Sequence, residues 1–166
     1  MKLLSLLLAS IPTLTAPPAS AQDNLIDLTQ PPAVVQALQG AGYKAVLKTD
    51  EKGDPFIESA ANGSNFTVQF YGCKDARDCP SLQFYAWYKK EPWYTVDLAN
   101  RWNANKRFIS VAIDKDGDLS TVYDITTLGK TTVANFTDAI EWWSVMTGEL
   151  FTFLETERPP AKADGK

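Results

Sequence analysis

Cys73 and Cys79 are the two cysteines of this chain, and it contains no histidine. Their setting, Tyr71-Gly72-Cys73-Lys74-Asp75-Ala76-Arg77-Asp78-Cys79-Pro80, is a polar loop that ends in proline. In an oxidising compartment, such a pair closes one disulfide across the loop. A redox-active pair is the alternative, but redox catalysts usually place C-x-x-C at a helix start, where the thiolate is stabilised. The spacing here is C-x5-C, which favours the structural bridge. Without histidine there is no Ser-His-Asp triad, no Cys-His pair and no His-ligated zinc. G-x-S-x-G, G-x-G-x-x-G and the P-loop are also absent. A two-carboxylate hydrolase needs opposed acids in a cleft. Glu58 and Asp124 are the carboxylates inside apolar strand patterns, and each falls at an outward position. The run Asp114-Lys115-Asp116-Gly117-Asp118 suggests calcium, but its glycine precedes the third Asp and Ile125 stands at loop position twelve. A β-hairpin turn explains it better, and Asp50 to Asp54 reads the same way. No cofactor and no metal are expected.

The chain must carry these residues to a compartment before it folds around them. Lys2, the apolar run Leu3–Ile11, Pro12 and Ala19-Ser20-Ala21 read as a secretory signal over residues 1–21. The apolar run is about half the ~20 residues of a membrane span. No later apolar run is uninterrupted, so no integral span is expected after cleavage. The expected product is exported across the inner membrane and periplasmic, if the source is a Gram-negative bacterium. Three N-x-[ST] sequons, at Asn62, Asn65 and Asn135, are then chance matches. The 166 residues carry a net charge of −4 and 45% hydrophobic residues. That is one ordinary globular domain with no field to attract nucleic acid.

Hydrophobic periodicity supplies the elements. Residues 22–31 read as a flexible lead and 156–166 as a disordered tail. Between them, Pro31-Pro32 opens a helix over Ala33–Gln39. Four strands follow in a meander, at 43–48, 55–60, 66–70 and 82–88. Thr95 caps a helix over 96–106, with Asp97 in its first turn. A hairpin at 108–113 and 119–125 comes next. Thr131 or Thr132 then caps a last helix reaching about Glu155, in which Gly148 is a candidate bend. The expected class is α+β, an antiparallel sheet with helices packed on it.

All 19 aromatic residues lie between Tyr43 and Phe153. Phe66, Phe70, Phe84, Phe108, Phe136 and Trp143 fit inward positions. The strand 82–88 is unusual because both faces carry rings. Leu82, Phe84 and Tyr88 point one way; Tyr85 and Trp87 point the other, and Trp93 and Tyr94 follow after a break. Cover of this second face by the chain's own helices is the expectation. If it is bare, Tyr85, Trp87, Trp93 and Tyr94 become a partner-binding patch, since Trp and Tyr dominate hot spots.

The segment Leu98-Ala99-Asn100-Arg101-Trp102-Asn103, then Arg107-Phe108, the hairpin Asp114–Leu119 and the Thr-capped helix with Phe136 together resemble the YbjN-like family. That family is labelled as bacterial sensory transduction regulators. The resemblance covers about residues 32–155, with Asn100, Trp102, Asn103, Asp116 and Gly117 as its fingerprint. It implies a type III secretion chaperone-like fold and no catalytic residues. The expected function is a non-enzymatic, chaperone- or adaptor-like module that binds a protein or peptide and leaves a homodimer open. A small-molecule or envelope-ligand binder with an aromatic pocket is the alternative, and a carboxylate hydrolase comes third. An exposed apolar face supports the first, a closed pocket at Tyr85, Trp87 or Trp93 the second, and facing carboxylates the third.

Overall fold

The computed structural model describes residues 24–160. The expected signal at 1–21 and the last six residues of the tail lie outside them. The elements are β1 (Leu25–Ile26), α1 (Pro31–Gly40), β2 (Ala45–Thr49), β3 (Pro55–Ala61), β4 (Ser64–Tyr71), β5 (Ser81–Tyr88), α2 (Val96–Asn105), β6 (Ser110–Ile113), β7 (Leu119–Thr126), β8 (Thr131–Thr132) and α3 (Val133–Glu157). Six strands form an antiparallel sheet in the order β2-β3-β4-β5-β7-β6. The four-strand meander and the final hairpin are as the periodicity predicts. The chain leaves β5, crosses over through α2 to the far edge as β6, and returns as β7 between them.

Turn chemistry sets the register. Asn62 and Gly63 both have positive φ, 52° and 74°, as the tight β3–β4 hairpin requires. In the β6–β7 turn, the Asp114 carboxylate accepts the N–H groups of Asp116 and Asp118, each at 2.9 Å, and Gly117 sits at φ +85°. The turn is thus organised by the Asp114 side chain, which is spent on its own backbone. Asp50 does the same for Lys52 and Asp54 in the β2–β3 turn.

The inner face of the sheet is the core. Ile57, Val68 and Phe84 are opposed across β3, β4 and β5, and all are fully buried. α3 lays Phe136, Ile140, Trp143, Met146 and Leu150 over them, spaced by one helical turn. Trp143 meets Phe66 and Phe84 at ring separations of 5.5 and 5.6 Å. α2 joins the same layer through Trp102, which packs on Phe153 of α3 and donates from Nε1 to the Ile109 carbonyl. α1 buries Val34 and Leu38 beside β2 and β3.

Four expectations need correction. Residues 24–31 do not trail free: Leu25 and Ile26 pair with Thr132 and Thr131, and Ile26 and Leu28 are buried. Two-residue strands carry no readable periodicity, so the sequence pattern missed them. β6 begins at Ser110 rather than Phe108. Phe108 sits at φ +69° with the Ile109 N–H bonded to the Arg107 carbonyl, a γ-turn. Its ring is half-exposed and stacks flat on Trp142 of α3 at 4.3 Å, instead of entering the core. Gly148 does not interrupt α3, which runs on to Glu157 with Leu150 and Leu154 buried beyond it.

Candidate functional site

The expectation that helices cover both sheet faces is wrong. Among the described residues, all three helices pack on the inner face and the opposite face is left bare. Strand burial alternates accordingly: in β5, Leu82, Phe84 and Ala86 are buried, whereas Gln83, Tyr85 and Trp87 are not. Trp87 is 50% exposed. Period-two alternation places a ring on this face but cannot say whether another layer follows.

The bare face has ordered chemistry. One transverse row runs Val46, Glu58, Thr67, Tyr85, Val122, Ser110, in register across every strand from β2 to β6. The next row runs Lys48, Phe56, Gln69, Gln83, Asp124. Within these rows Lys48 pairs with Glu58 at 2.9 Å. Tyr71 donates its hydroxyl to Gln69 Oε1 at 2.7 Å and lies 3.1 Å from Gln83 Oε1. Gln83 Nε2 in turn donates to Asp124 at 2.7 Å. A concavity of about 580 Å³ lies on this side, lined by Lys44 and Val46 of the β2 end and by Tyr85 and Trp87 of β5. It is open to solvent, not a closed pocket.

Burial pushes the phenols of Tyr85 and Tyr71 above their ordinary pKa of 10.0; Asp114 and Asp118 add to this at Tyr85, and Asp124 at Tyr71. Tyr88 and Tyr123, which flank the core, shift the same way, again chiefly through burial. These groups keep their proton longer folded than unfolded. Their contribution to stability is therefore complete below about pH 10 and lost as pH rises through the folded values. We expect the unfolding midpoint to fall above pH 10, with phenolate absorbance rising in step. A midpoint flat to pH 12 would contradict these shifts.

The four expected patch residues divide into two pairs. Tyr85 and Trp87 share the bare face. Trp93 and Tyr94 stack edge-on at 4.7 Å and pack against the core. Tyr94 lies close enough to Glu155 and Arg158, at the end of α3, to feel their charges. The break at Lys89-Lys90-Glu91-Pro92 turns the chain away, so no single surface contains all four. Pattern reading of β5 missed the Tyr71, Gln69, Gln83 and Asp124 network. The same parity that exposes Tyr85 would have found Gln83, but its cross-strand partners follow only from register.

Four of the five fingerprint residues hold structure together, Asn100 being the exception. Asn103 receives the Val111 N–H on its side-chain oxygen and donates to the Val111 carbonyl, both at 2.9 Å. Its amide thus satisfies one residue of the β6 edge as a neighbouring strand would. Trp102 anchors the same helix from inside, and Asn100 lies on the exposed side of α2. Asp116 and Gly117 make the β6–β7 turn, and Asp118 of that turn accepts the Lys90 N–H at 2.8 Å. Glu58 and Asp124, the carboxylates raised for hydrolysis, are engaged by Lys48 and Gln83. Among the described residues no cluster of three or more His, Cys, Asp or Glu is placed to hold a metal ion.

Residues 31–156 match the model of the YbjN family, whose description reads "Putative bacterial sensory transduction regulator". No curated protein and no solved structure matches the chain.

Proposed function

Given that this chain belongs to the YbjN family, we propose that it is an exported, non-enzymatic adaptor that takes a polypeptide partner on the bare sheet face. The observation that carries the reading is Trp87. A half-exposed indole beside Tyr85, on a face that the chain's own helices leave bare, is the kind of residue that dominates interface energetics. The surrounding polar groups are already oriented by hydrogen bonds across strands, so little side-chain ordering remains to oppose binding. Export is supported by the Cys73–Cys79 disulfide, which belongs to oxidising compartments, and by the expected signal at residues 1–21. No helix among the described residues is long and apolar enough to cross a membrane.

The concavity supports a second reading, a small envelope ligand seated against Tyr85 and Trp87. Its volume lies within the usual range for ligand sites, but its openness favours the polypeptide. Crosslinking and pull-down from the cell envelope tests the first reading. Trp87→Ala is expected to keep the circular dichroism and thermal midpoint of the parent while losing most of the captured partner. A variant that retains every partner at parental yield sinks the proposal. Mass spectrometry of the captured protein reads the export claim in the same experiment, since an intact Met1 would contradict it.

A further inference from the structure

The two edges of the sheet are treated differently. At β6 the Asn103 amide occupies the outward N–H and C=O of Val111. At β2 the edge is open at Leu47 and Thr49, whereas Ala45 is buried beside α1. Pro55 has no N–H, so the opposed pair Thr49–Pro55 cannot be a hydrogen-bonded one. Alternation along an antiparallel ladder then turns the backbone groups of Thr49, Leu47 and Ala45 away from β3. The contact of Gln39 Nε2 with the Ala45 carbonyl, at 3.0 Å, agrees with that direction. Two apolar side chains are bare here, Val46 at 40% and Leu47 at 41% exposure, with Lys44 and Lys48 on either side of them. Open backbone groups beside exposed apolar side chains are a template for another strand.

We propose that β2 pairs antiparallel with β2 of a second copy of this chain, about a two-fold axis at Leu47. Charge selects both the occupant and the register. Outward backbone groups must oppose outward ones, which leaves three central registers for two copies of Ala45–Thr49. Centring on Lys48 sets the two Lys48 side chains against each other. Centring on Val46 sets Lys44 against Lys48 of the second copy. Centring on Leu47 sets Lys44 against Asp50, Lys48 against Val46 and Leu47 against Leu47, with no like charges opposed. In that register the exposed Leu47 opposes itself, and this central pair makes two hydrogen bonds. The contact is isologous and closed, because each copy spends the same edge, and at the other edge Asn103 takes the outward groups of Val111. The paired sheet is twelve strands wide, two copies of the six present here, and its bare faces lie side by side.

Sedimentation of the oxidised protein tests this directly. The expected result is twice the protomer mass, falling to one protomer mass in Leu47→Pro. That substitution removes an outward N–H without breaking the ladder to β3. Single protomer mass at the highest soluble concentration overturns the proposal, as does a Leu47→Pro variant that stays at twice that mass. A cysteine scan reads the register without relying on proline. Both native cysteines are bridged, so one new thiol per chain reports unambiguously. Leu47→Cys is expected to form the intermolecular disulfide fastest, since only there does a residue oppose itself. Faster coupling through Val46→Cys or Lys48→Cys, or no preference among the three, overturns the assigned pairing.

Discussion

Trp143→Ala is expected to lower the free energy of unfolding by about 3–5 kcal/mol, the range for removing a buried Trp or Phe. Trp143 is fully buried at the centre of the helix layer. Its ring bridges Phe66 on β4 and Phe84 on β5, and Phe84 also touches Phe136 on α3. Deleting it opens a cavity between α3 and the two central strands. The surrounding rings are rigid and in contact with one another, so the site collapses poorly. A domain of this size holds about 5–15 kcal/mol in all, so the variant sits close to unfolding. Trp143→Phe separates packing from chemistry. The indole N–H has no hydrogen-bond partner among the described residues, so losing it costs nothing, and most of the ring contact survives. Urea unfolding of the pair should rank Trp143→Phe well above Trp143→Ala. A loss below about 1 kcal/mol in Trp143→Ala would contradict the packing described here.

Reducing the Cys73–Cys79 disulfide is expected to remove about 2 kcal/mol, the chain-entropy value for so short a ring. The effect also spreads. Cys79 is fully buried, and its N–H donates to the Thr29 carbonyl at 3.1 Å. The Thr127 hydroxyl donates to the Cys79 carbonyl, and the Thr127 N–H to that of Pro80 at 3.1 Å. Gln30 reaches across to Asp78 at 2.7 Å. The bridged loop therefore clamps the segment before α1 onto the connection between β7 and β8. We expect amide exchange to rise first at Leu25–Thr29 and at Thr127–Thr132 in a Cys73→Ser, Cys79→Ser double variant. The β5–β7 ladder should stay protected. Exchange that rises only within residues 73–79 would mean that the loop is not a clamp. The same measurement bears on export, because a fold that leans on this bridge is best suited to an oxidising compartment.

Most of the element list was legible in the residues. Alternation of Phe66, Val68 and Phe70, the Asn62-Gly63 and Asp-Gly turns, and the Thr95 and Thr132 caps each act within a few residues, where periodicity and turn geometry are decisive. The disulfide was legible for the same reason, being closed over one short loop. The fingerprint around Trp102 and Asn103 pointed to the family, although the sequence did not reveal that Asn103 serves the β6 edge. Phe108 was misjudged because an apolar ring before a strand looks like its first residue. Only a local γ-turn and the partner Trp142 put it elsewhere.

By itself the sequence determined which side chains share each face of a strand, because that depends only on alternation along the backbone. It therefore placed Tyr85 and Trp87 together and opposite the core. Tertiary structure alone decided that no helix of the described residues covers them, that Trp93 and Tyr94 pack elsewhere, and that Leu47 on β2 is an open edge position while Val111 on β6 is engaged by Asn103. Those outcomes depend on where three helices settle relative to the sheet. That placement is set by contacts between residues far apart in the chain, such as Phe84 with Trp143 and Asn103 with Val111, and no local pattern encodes them.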